Sequence, residues 1–305
     1  MTSLRRIIQT VTVLLLSMMC TVLLGQQTRS AGVQQHGLKG KVKKVISYSN
    51  LMSKPDIKLF DIYGNWIEHV SYSFPPGINQ WVMSKMIFKY NTSGVMTGQT
   101  LYDHNGGIQE DYYDRFKYDD KGNIIERTRY TSDRKLNMSS KFDSNGNMTE
   151  ISWYDSQGTV MLKSIYRYND KGKLIEEVSE SKGYFSGKTR TVYQYDVNQN
   201  LIVKSVYGTD GSLSEKFTSK YDNNAKLTEQ LVSTYAAHGI SEWRTRYSYD
   251  QNGLLSEKSS FLLNGSPMSK TVYKYDARGN KTEETTLMDG VTQSEKKTWE
   301  YEYWD

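Results

Sequence analysis

Short stretches of alternating apolar and polar residues recur along the chain, and each ends at an aromatic residue followed by a turn sequence. Alternation with a period of two is typical of β-strands. A repeat of 24 to 30 residues indicates a protein built from stacked units, each of which needs its neighbours to bury its apolar side. The aromatic residues of this structural repeat are Phe60, Tyr90, Tyr118, Phe142, Tyr168, Tyr195, Tyr221, Tyr249, Tyr275 and Tyr303.

The residues after each aromatic predict a tight hairpin connection. In YKYDARGNKTEE, Asp276 and Gly279 suit a type I turn followed by a residue with positive φ. This is a three-residue loop with a bulge, in which Asp276 faces Asn280 and Tyr275 faces Lys281. Lys281 is an exception, because the other repeats have a large apolar residue at its position. Those residues are Trp66, Met96, Ile124, Met148, Leu174, Leu201, Leu227 and Leu255.

Counting by two beyond the turn extends the aromatic side into a face. A recurring glutamate is then expected opposite the first tyrosine of each Tyr-x-Tyr pair, where its carboxylate accepts a hydrogen bond from the hydroxyl. The glutamates are Glu68, Glu126, Glu150, Glu176, Glu229, Glu257 and Glu283. Further along, the same count predicts a second set on this face, made of Tyr72, Tyr102, Tyr130, Tyr154, Tyr207, Phe261 and Leu287.

Each repeat therefore predicts two antiparallel strands and two turns, and the fold class is all-β. About nine units over residues 38–305 form tandem β-hairpins in one elongated antiparallel meander. Long strands twist and coil, so we expect the sheet to spiral around its own tyrosines into a partly closed shell. The sequence leaves open whether the sheet closes.

The opposite face is expected to carry two columns of basic residues and the candidate ligand-binding surface. One column consists of residues that directly precede an aromatic of the repeat, namely Lys89, Lys117, Lys141, Arg167, Lys220 and Lys274. The other lies five residues before the repeat aromatic on the same side and consists of Lys85, Lys163, Arg190, Lys216, Arg244 and Lys270. Parity also places three flat aromatic side chains there. The candidate ligand-binding residues are Trp81, Tyr113, Trp153, Lys117, Lys141 and Arg167. They suit a polysaccharide, whether acidic or neutral, although a solvated exterior that prevents aggregation explains the lysines equally well.

The N-terminus predicts export. Arg5 and Arg6 precede an apolar stretch, and Gly25 is a plausible cleavage position, so residues 1–25 are interpreted as a signal peptide. Residues 26–37 are expected to form a flexible lead-in, and the mature chain should carry no transmembrane segment. Cys20, the single cysteine, would leave with the signal peptide, so no disulfide is expected.

The chain offers little that predicts catalysis. Its four histidines have no metal-ligand spacing, and no nucleophile elbow, phosphate loop or dinucleotide motif is present. The glutamates are copies of one another, whereas glycoside hydrolysis needs two non-equivalent acids. We therefore expect no enzyme activity, no cofactor and no metal. A formal net charge of only +5 together with export disfavours nucleic acid as a partner.

The Tyr-Asp-x-x-Gly-Asn/Lys-Leu-x-Glu units resemble the tyrosine-aspartate repeats of the Rhs family of bacterial secreted and surface proteins. The segments from Tyr118 to Ile124 and from Tyr275 to Asn280 carry the match, which extends over roughly residues 55–305. The resemblance implies a β-sheet that spirals into a shell, and a carbohydrate-binding role. Family shells enclose a toxic C-terminal domain, but this chain ends at YEYWD within the motif, so no toxin role is expected.

Together these patterns favour an exported, non-enzymatic binding or structural scaffold of a bacterial envelope or surface, with carbohydrate as the preferred ligand. The alternative is a protein–protein scaffold that docks an envelope protein by strand addition at a sheet edge, either Val42–Tyr48 or Tyr301–Trp304. An outer-membrane barrel is disfavoured, because the face opposite the tyrosines is basic and polar.

Overall fold

The computed structural model describes residues 36–74, 81–183, 186–237 and 239–305, all of whose regular elements are β-strands. The predicted signal peptide, Cys20 and most of the predicted lead-in lie outside these residues. The all-β prediction is confirmed. The strands are β1 (Val42–Ser49), β2 (Asp56–Phe60), β3 (Trp66–Ser73), β4 (Val82–Tyr90), β5 (Met96–Tyr102), β6 (Ile108–Tyr118), β7 (Ile124–Thr131), β8 (Leu136–Phe142), β9 (Met148–Tyr154), β10 (Val160–Tyr168), β11 (Leu174–Ser181), β12 (Gly187–Tyr195), β13 (Leu201–Tyr207), β14 (Leu213–Tyr221), β15 (Leu227–Ala236), β16 (Gly239–Tyr249), β17 (Leu255–Leu262), β18 (Pro267–Tyr275), β19 (Lys281–Met288) and β20 (Thr292–Tyr303).

The strands form a closed up-and-down barrel. Each strand pairs antiparallel with the next, and the sheet closes where Val45 of β1 lies opposite Tyr301 of β20. The predicted meander is confirmed, and its closure is complete. The two edges considered for strand addition are therefore bonded to each other, so docking a partner strand at β1 or β20 is ruled out in this closed form.

Connections alternate between two ends of the barrel. We call the end formed by the turns after β2, β4 and each further even-numbered strand up to β18 the aspartate rim, because each turn begins with Asp or Asn. We call the opposite end, formed by the connections after the odd-numbered strands, the variable rim. The candidate surfaces are described relative to these two rims.

The predicted turn is present at every connection of the aspartate rim. In the last of them, the Asp276 amide donates to the Asn280 carbonyl at 2.9 Å and the Gly279 amide donates to the Asp276 carbonyl at 3.0 Å. The Asp276 side chain also accepts from the backbone amides of Arg278 and Asn280 at 2.9 and 2.8 Å. An aspartate that bonds its own turn this way explains why Asp or Asn occupies this position.

The bulge reverses the predicted position of the glutamates. Tyr275 pairs with Lys281 as expected, but Lys274 then pairs with Glu283, because two residues lie opposite one at the bulge. Counting by two across this point therefore assigns the wrong face. The glutamates lie on the lysine side of the sheet and not against the tyrosines. The second aromatic set lies on that side as well, as the pairing of Tyr130 with Tyr113 and of Glu126 with Lys117 shows.

The tyrosine face is the interior of the barrel. Buried apolar side chains such as Met138, Ile151 and Val232 lie on this face. Two clusters stand out, one around Met138, Met148 and Ile151 and the other around Val42, Val45 and Phe60. The second cluster packs at the β1–β20 seam, so apolar burial supports the closure that the backbone bonds make.

Candidate functional site

The repeated tyrosines hold neighbouring hairpins together inside the barrel. The Tyr195 hydroxyl donates to the Leu174 carbonyl at 2.7 Å, so the last residue of β12 is bonded to the first residue of β11. The same bond recurs along the sheet. Its other pairs are Tyr90 with Trp66, Tyr168 with Met148, Tyr221 with Leu201, Tyr249 with Leu227, Tyr275 with Leu255 and Tyr301 with Lys281. Burial raises the pKa of Tyr168 to about 12, so its hydroxyl stays protonated and remains a donor.

Members of the structural repeat differ in burial. Phe60 is only 1% exposed and belongs to the seam cluster, whereas Tyr118 is 51% exposed. Phe142 packs against Met138 in the other cluster and has no hydroxyl to donate. Tyr303, near the end of the chain, hydrogen-bonds Asp276 at 3.2 Å and accepts a bond from the Asn280 side chain at 2.8 Å. The shared motif thus fixes the turn, while local packing decides how far each ring is buried.

The basic columns lie on the outer face, as their spacing predicts, but they are paired with the glutamates. Lys117 contacts Glu126 at 2.7 Å and Arg167 contacts Glu176 at 2.8 Å. Lys141 contacts Glu150 at 3.2 Å. The glutamates also reach the second basic column, as in the pairs of Glu150 with Lys163, Glu176 with Arg190, Glu257 with Lys270 and Glu68 with Lys85. We call this arrangement the ion-pair ladder.

The ladder changes the electrostatics of the outer face. Hydrogen bonds from Lys274 and Lys296 lower the pKa of Glu283 to about 2. The pKa of Glu176 is also lowered, first by its bond from Arg190. These carboxylates are therefore ionised at neutral pH and offset the charge of the flanking cations. The candidates Lys117, Lys141 and Arg167 lie in this neutralised array and do not form an isolated positive surface.

Tyr113 belongs to an aromatic cluster on the outer face. Its ring stacks on Tyr130 with centroids 5.4 Å apart and planes 18° apart. The Arg115 guanidinium lies 5.2 Å from the Tyr130 centroid and 5.7 Å from that of Tyr113. We call these three residues the outer tyrosine cluster. The cluster combines flat apolar rings with a fork of hydrogen-bond donors in a partly exposed position.

The other two aromatic candidates lie elsewhere. Trp153 is on the interior face and packs in the cluster with Met138 and Tyr166, so its predicted outward position is wrong. The reason is again the turn bulge, which shifts the parity of β9. Trp81 lies just before β4 at the variable rim, where its ring meets that of Phe74 edge to face at 5.6 Å.

An ion cluster inside the barrel escaped the sequence analysis. Asp114 of β6 is bonded by Arg127 and Arg129 of β7, and its side chain is fully enclosed. Burial alone would raise the pKa of Asp114, but the hydrogen bond from Arg129 and the charge of Arg127 lower it below its usual value. The sequence did contain a signal for this cluster. Alternation in RTRY places Arg127 and Arg129 on the same face of β7, and a buried pair of arginines requires an acidic partner.

Within the described ranges, His, Cys, Asp and Glu side chains form no group of three suited to a metal ion. Over the same residues, no helix has the length and apolar character needed to cross a bilayer.

Known proteins resemble the chain only distantly. No family model and no curated protein matches it. Among solved structures, similarity is found to TcdB2-TccC3-Cdc42, with 11% identity and a TM-score of 0.29 over 80% of this chain and 20% of that one. This chain therefore spans about a fifth of the length of that relative. A porin-like protein from Bacteroides uniformis ATCC 8492 shows 10% identity and a TM-score of 0.38 over 87% and 99%. The V. cholerae biofilm matrix protein Bap1 shows 11% identity and a TM-score of 0.21 over 91% and 69%.

Proposed function

We propose that this protein is an exported, non-enzymatic binding scaffold that holds carbohydrate on the outside of its barrel. The outer tyrosine cluster carries the proposal. A sugar ring has an apolar face of C–H groups that packs on the negative face of an aromatic ring. Its hydroxyls accept hydrogen bonds from a guanidinium such as that of Arg115. Tyr113, Tyr130 and Arg115 offer both at one place.

The ion-pair ladder favours neutral over acidic glycans. Each ladder glutamate is paired with at least one cation, and Glu176 accepts from both Arg167 and Arg190. An acidic polymer would have to displace these bonds and would meet the glutamates as well. Stacking on the outer tyrosine cluster needs no such displacement. We therefore expect binding that changes little with salt.

Glycan binding tests this function directly. Purified protein is titrated with neutral and acidic polysaccharides at two salt concentrations. We expect Tyr113→Ala to weaken binding of a neutral glycan by about tenfold, which corresponds to roughly 1.4 kcal/mol. The matched control is the triple variant Lys117→Ser, Lys141→Ser and Arg167→Ser, whose affinity should stay within about twofold.

Two outcomes would overturn the proposal. One is that no polysaccharide of either kind binds. The other is that the triple variant loses binding while Tyr113→Ala keeps it, with affinity falling steeply as salt rises. That result would indicate that the ligand is an acidic polymer and that it binds at the basic columns.

Export rests on the N-terminal sequence, and fractionation tests it. The full-length protein, expressed in a bacterium, should be recovered outside the cytoplasm with Gln26 at its N-terminus. Replacing Leu14, Leu15 and Leu16 by Asp should keep it in the cytoplasm, since the apolar stretch would be interrupted. Recovery of uncleaved protein from the cytoplasm in both cases would contradict export.

A protein partner is the second candidate, and the variable rim favours it. Large exposed apolar side chains are concentrated there, including Ile108, Ile240, Leu263, Met288 and Val291. Exposed apolar groups in connecting loops are typical of interaction surfaces. In a cross-linking experiment on intact cells, Ile108→Ser and Ile240→Ser together should remove any envelope protein that cross-links to the wild type.

A further inference from the structure

A pocket of about 290 Å³ lies inside the barrel near the β1–β20 seam. It is closed on one side by the segment that precedes β1. That segment is fixed by two bonds to the last turn of the aspartate rim, from the Lys39 amide to Asn280 Oδ1 at 2.6 Å and from Asn280 Nδ2 to the Lys39 carbonyl at 3.0 Å. The pocket is thus part of the described fold. Its size is at the lower end of the range for small-molecule sites.

Aromatic side chains form one wall of this pocket, and two lysines face it. Trp299 and Tyr301 of β20 line it together with Lys58 and Lys281. The Lys281 ammonium lies 4.6 Å from the Trp299 ring centroid. Flat rings beside ammonium groups bind ligands that are apolar on one face and negatively charged at one end.

Both lysines depart from the pattern of the fold. Lys281 occupies the position that is apolar in the other repeats, and Lys58 lies on the interior side of β2 opposite Val45. Burying an ammonium group costs free energy unless it is paired, and Lys58 has no ion pair as short as the 2.7 Å contact between Lys281 and Glu284. Residues that break a local rule in this way are commonly functional.

The lysines retain donors for a ligand. Lys281 contacts Glu284 at 2.7 Å, which uses one of its three donors. Lys58 lies 3.7 Å from Asp56, beyond hydrogen-bond length, and Asp56 is itself bonded to His69. A carboxylate entering the pocket could therefore bond both ammonium groups while these existing contacts persist.

His36 supplies a further polar group. Its ring packs edge to face against Phe60 at 5.7 Å and Trp66 at 4.7 Å. Its Nε2 atom is buried and has no hydrogen-bond partner among the described residues. Burial, followed by the charge of Lys58, lowers the pKa of His36 to about 4, so the ring is neutral at physiological pH. A buried ring nitrogen of this kind is satisfied when a ligand hydroxyl bonds it.

We propose that this pocket binds one acidic sugar residue, with the carboxylate between Lys58 and Lys281, the ring against Trp299 and a hydroxyl on His36. The aromatic wall explains why the ligand has a ring, and the two lysines explain why it carries a carboxylate. The imidazole of His36 favours a ligand with hydroxyl groups over a purely aromatic acid. This site is separate from the outer tyrosine cluster, and neither requires the other.

Calorimetric titration with glucuronate tests the proposal, with glucose and benzoate as comparison ligands. Glucuronate should bind, and both comparison ligands should bind at least tenfold more weakly. Lys281→Leu should reduce glucuronate affinity at least tenfold and leave the melting temperature equal or higher, because leucine is the residue of four other repeats. Lys274→Ser, on the outer face, is the matched control and should leave glucuronate affinity unchanged.

Several results would overturn the site. These are no glucuronate binding, equal binding to Lys281→Leu, equal binding of glucose, or binding of benzoate in preference to glucuronate. Tyr113→Ala separates the two proposals, since it should weaken glycan binding outside the barrel and leave glucuronate affinity unchanged. Lys58→Met gives a second variant with the same expected loss, should Lys281→Leu alter the local packing.

Discussion

The two rims of the barrel are built from related turns but under different constraints. At the aspartate rim every connection has the same bonds, from the turn around Asp61 to that around Asp276. At the variable rim the same bonds recur at five connections, while the other connections differ in length and sequence. The five begin at Asp103, Thr131, Asp155, Gly208 and Leu262. A uniform rim fixes strand register throughout the sheet, and the other rim is then free to vary without loss of the fold.

The difference extends into the neighbouring side chains. Next to the aspartate rim, tyrosines point inward and bond the preceding hairpin, as Tyr221 does with Leu201 at 2.9 Å. Towards the variable rim, the second aromatic set lies on the outer face beside arginines, as Tyr207 lies beside Arg190. The barrel therefore has a structural end and an end whose apolar and aromatic groups are available for contact.

The largest contrast between the rims is expected from truncating Phe60 and Ile108. Phe60→Ala removes a ring that is 1% exposed in the seam cluster, and we expect a loss of about 4 kcal/mol in the free energy of unfolding. Ile108→Ala at the variable rim should change it by less than about 0.5 kcal/mol, because Ile108 is 65% exposed. Denaturant unfolding measures both.

Tyr118→Ala sharpens this contrast within one motif. Tyr118 holds the same repeat position as Phe60 but is half exposed, so its truncation should cost much less than that of Phe60. Equal losses for the two variants would show that the motif position, and not burial, sets the contribution. Equal losses for Phe60→Ala and Ile108→Ala would remove the distinction between the rims.

The recurring tyrosine hydroxyl bond gives the next largest effect. Tyr195→Ala should lower the free energy of unfolding by about 3 kcal/mol, since it removes a core ring and its bond to Leu174. Tyr195→Phe removes only the bond and should cost about 1 kcal/mol. Lys220→Ala on the outer face should have little effect. If Tyr195→Ala and Lys220→Ala unfold at the same denaturant concentration, the inward assignment of the tyrosines is wrong.

The sequence predicted the parts of the fold that depend on local chemistry. Turn type, the pairing of Tyr275 with Lys281 and the common side of Lys117 and Lys141 all follow from a period of two and from Asp and Gly at fixed offsets. Parity failed beyond the bulge, which moved the glutamates outward and Trp153 inward. Parity is a running count, so one extra residue reverses every later assignment in that strand.

The candidate site was harder to predict because it depends on contacts between distant strands. Tyr113 was identified from parity in β6, but its partner Tyr130 was assigned to the opposite face. Lys281 stood out as an exception in the sequence, yet its neighbour Lys58 is brought close only by closure of β1 on β20. Closure joins the two ends of the chain, which periodicity within a repeat does not encode.

Between the rims, the ion-pair ladder predicts a loss of stability in acid. The pKa of Glu283 is about 2 in the folded protein, below its usual 4.5, so the unfolded chain binds more protons over this interval. Its stabilising effect is complete above about pH 4.5 and disappears as the pH falls through 2. Melting temperatures from pH 7 to pH 2 measure this.

The Glu283→Gln variant tests whether the ion-pair ladder causes the predicted loss of stability at low pH. Both bonds to Lys274 and Lys296 would weaken, and we expect a loss of about 1 kcal/mol at pH 7 that shrinks towards pH 2. The Lys296→Met variant should also lower the free energy of unfolding at pH 7, but by a smaller amount. A constant difference between wild type and Glu283→Gln at all pH values would exclude the ladder as the source.

The smallest expected change in stability comes from turns of the aspartate rim that lack the usual glycine. Ala225 has φ of 60° at the turn position where most other repeats have glycine. A β-carbon is disfavoured in this left-handed region, so Ala225→Gly should raise the free energy of unfolding by about 0.5–1 kcal/mol.

Gly122→Ala is the reverse substitution at the equivalent turn position, because Gly122 has φ of 84° and an added β-carbon would meet nothing within 4 Å. It should lower the free energy by a similar amount through backbone strain alone. If Ala225→Gly destabilises, the left-handed conformation is not what selects glycine at this rim, and the uniform turns would owe their stability to the aspartate bonds.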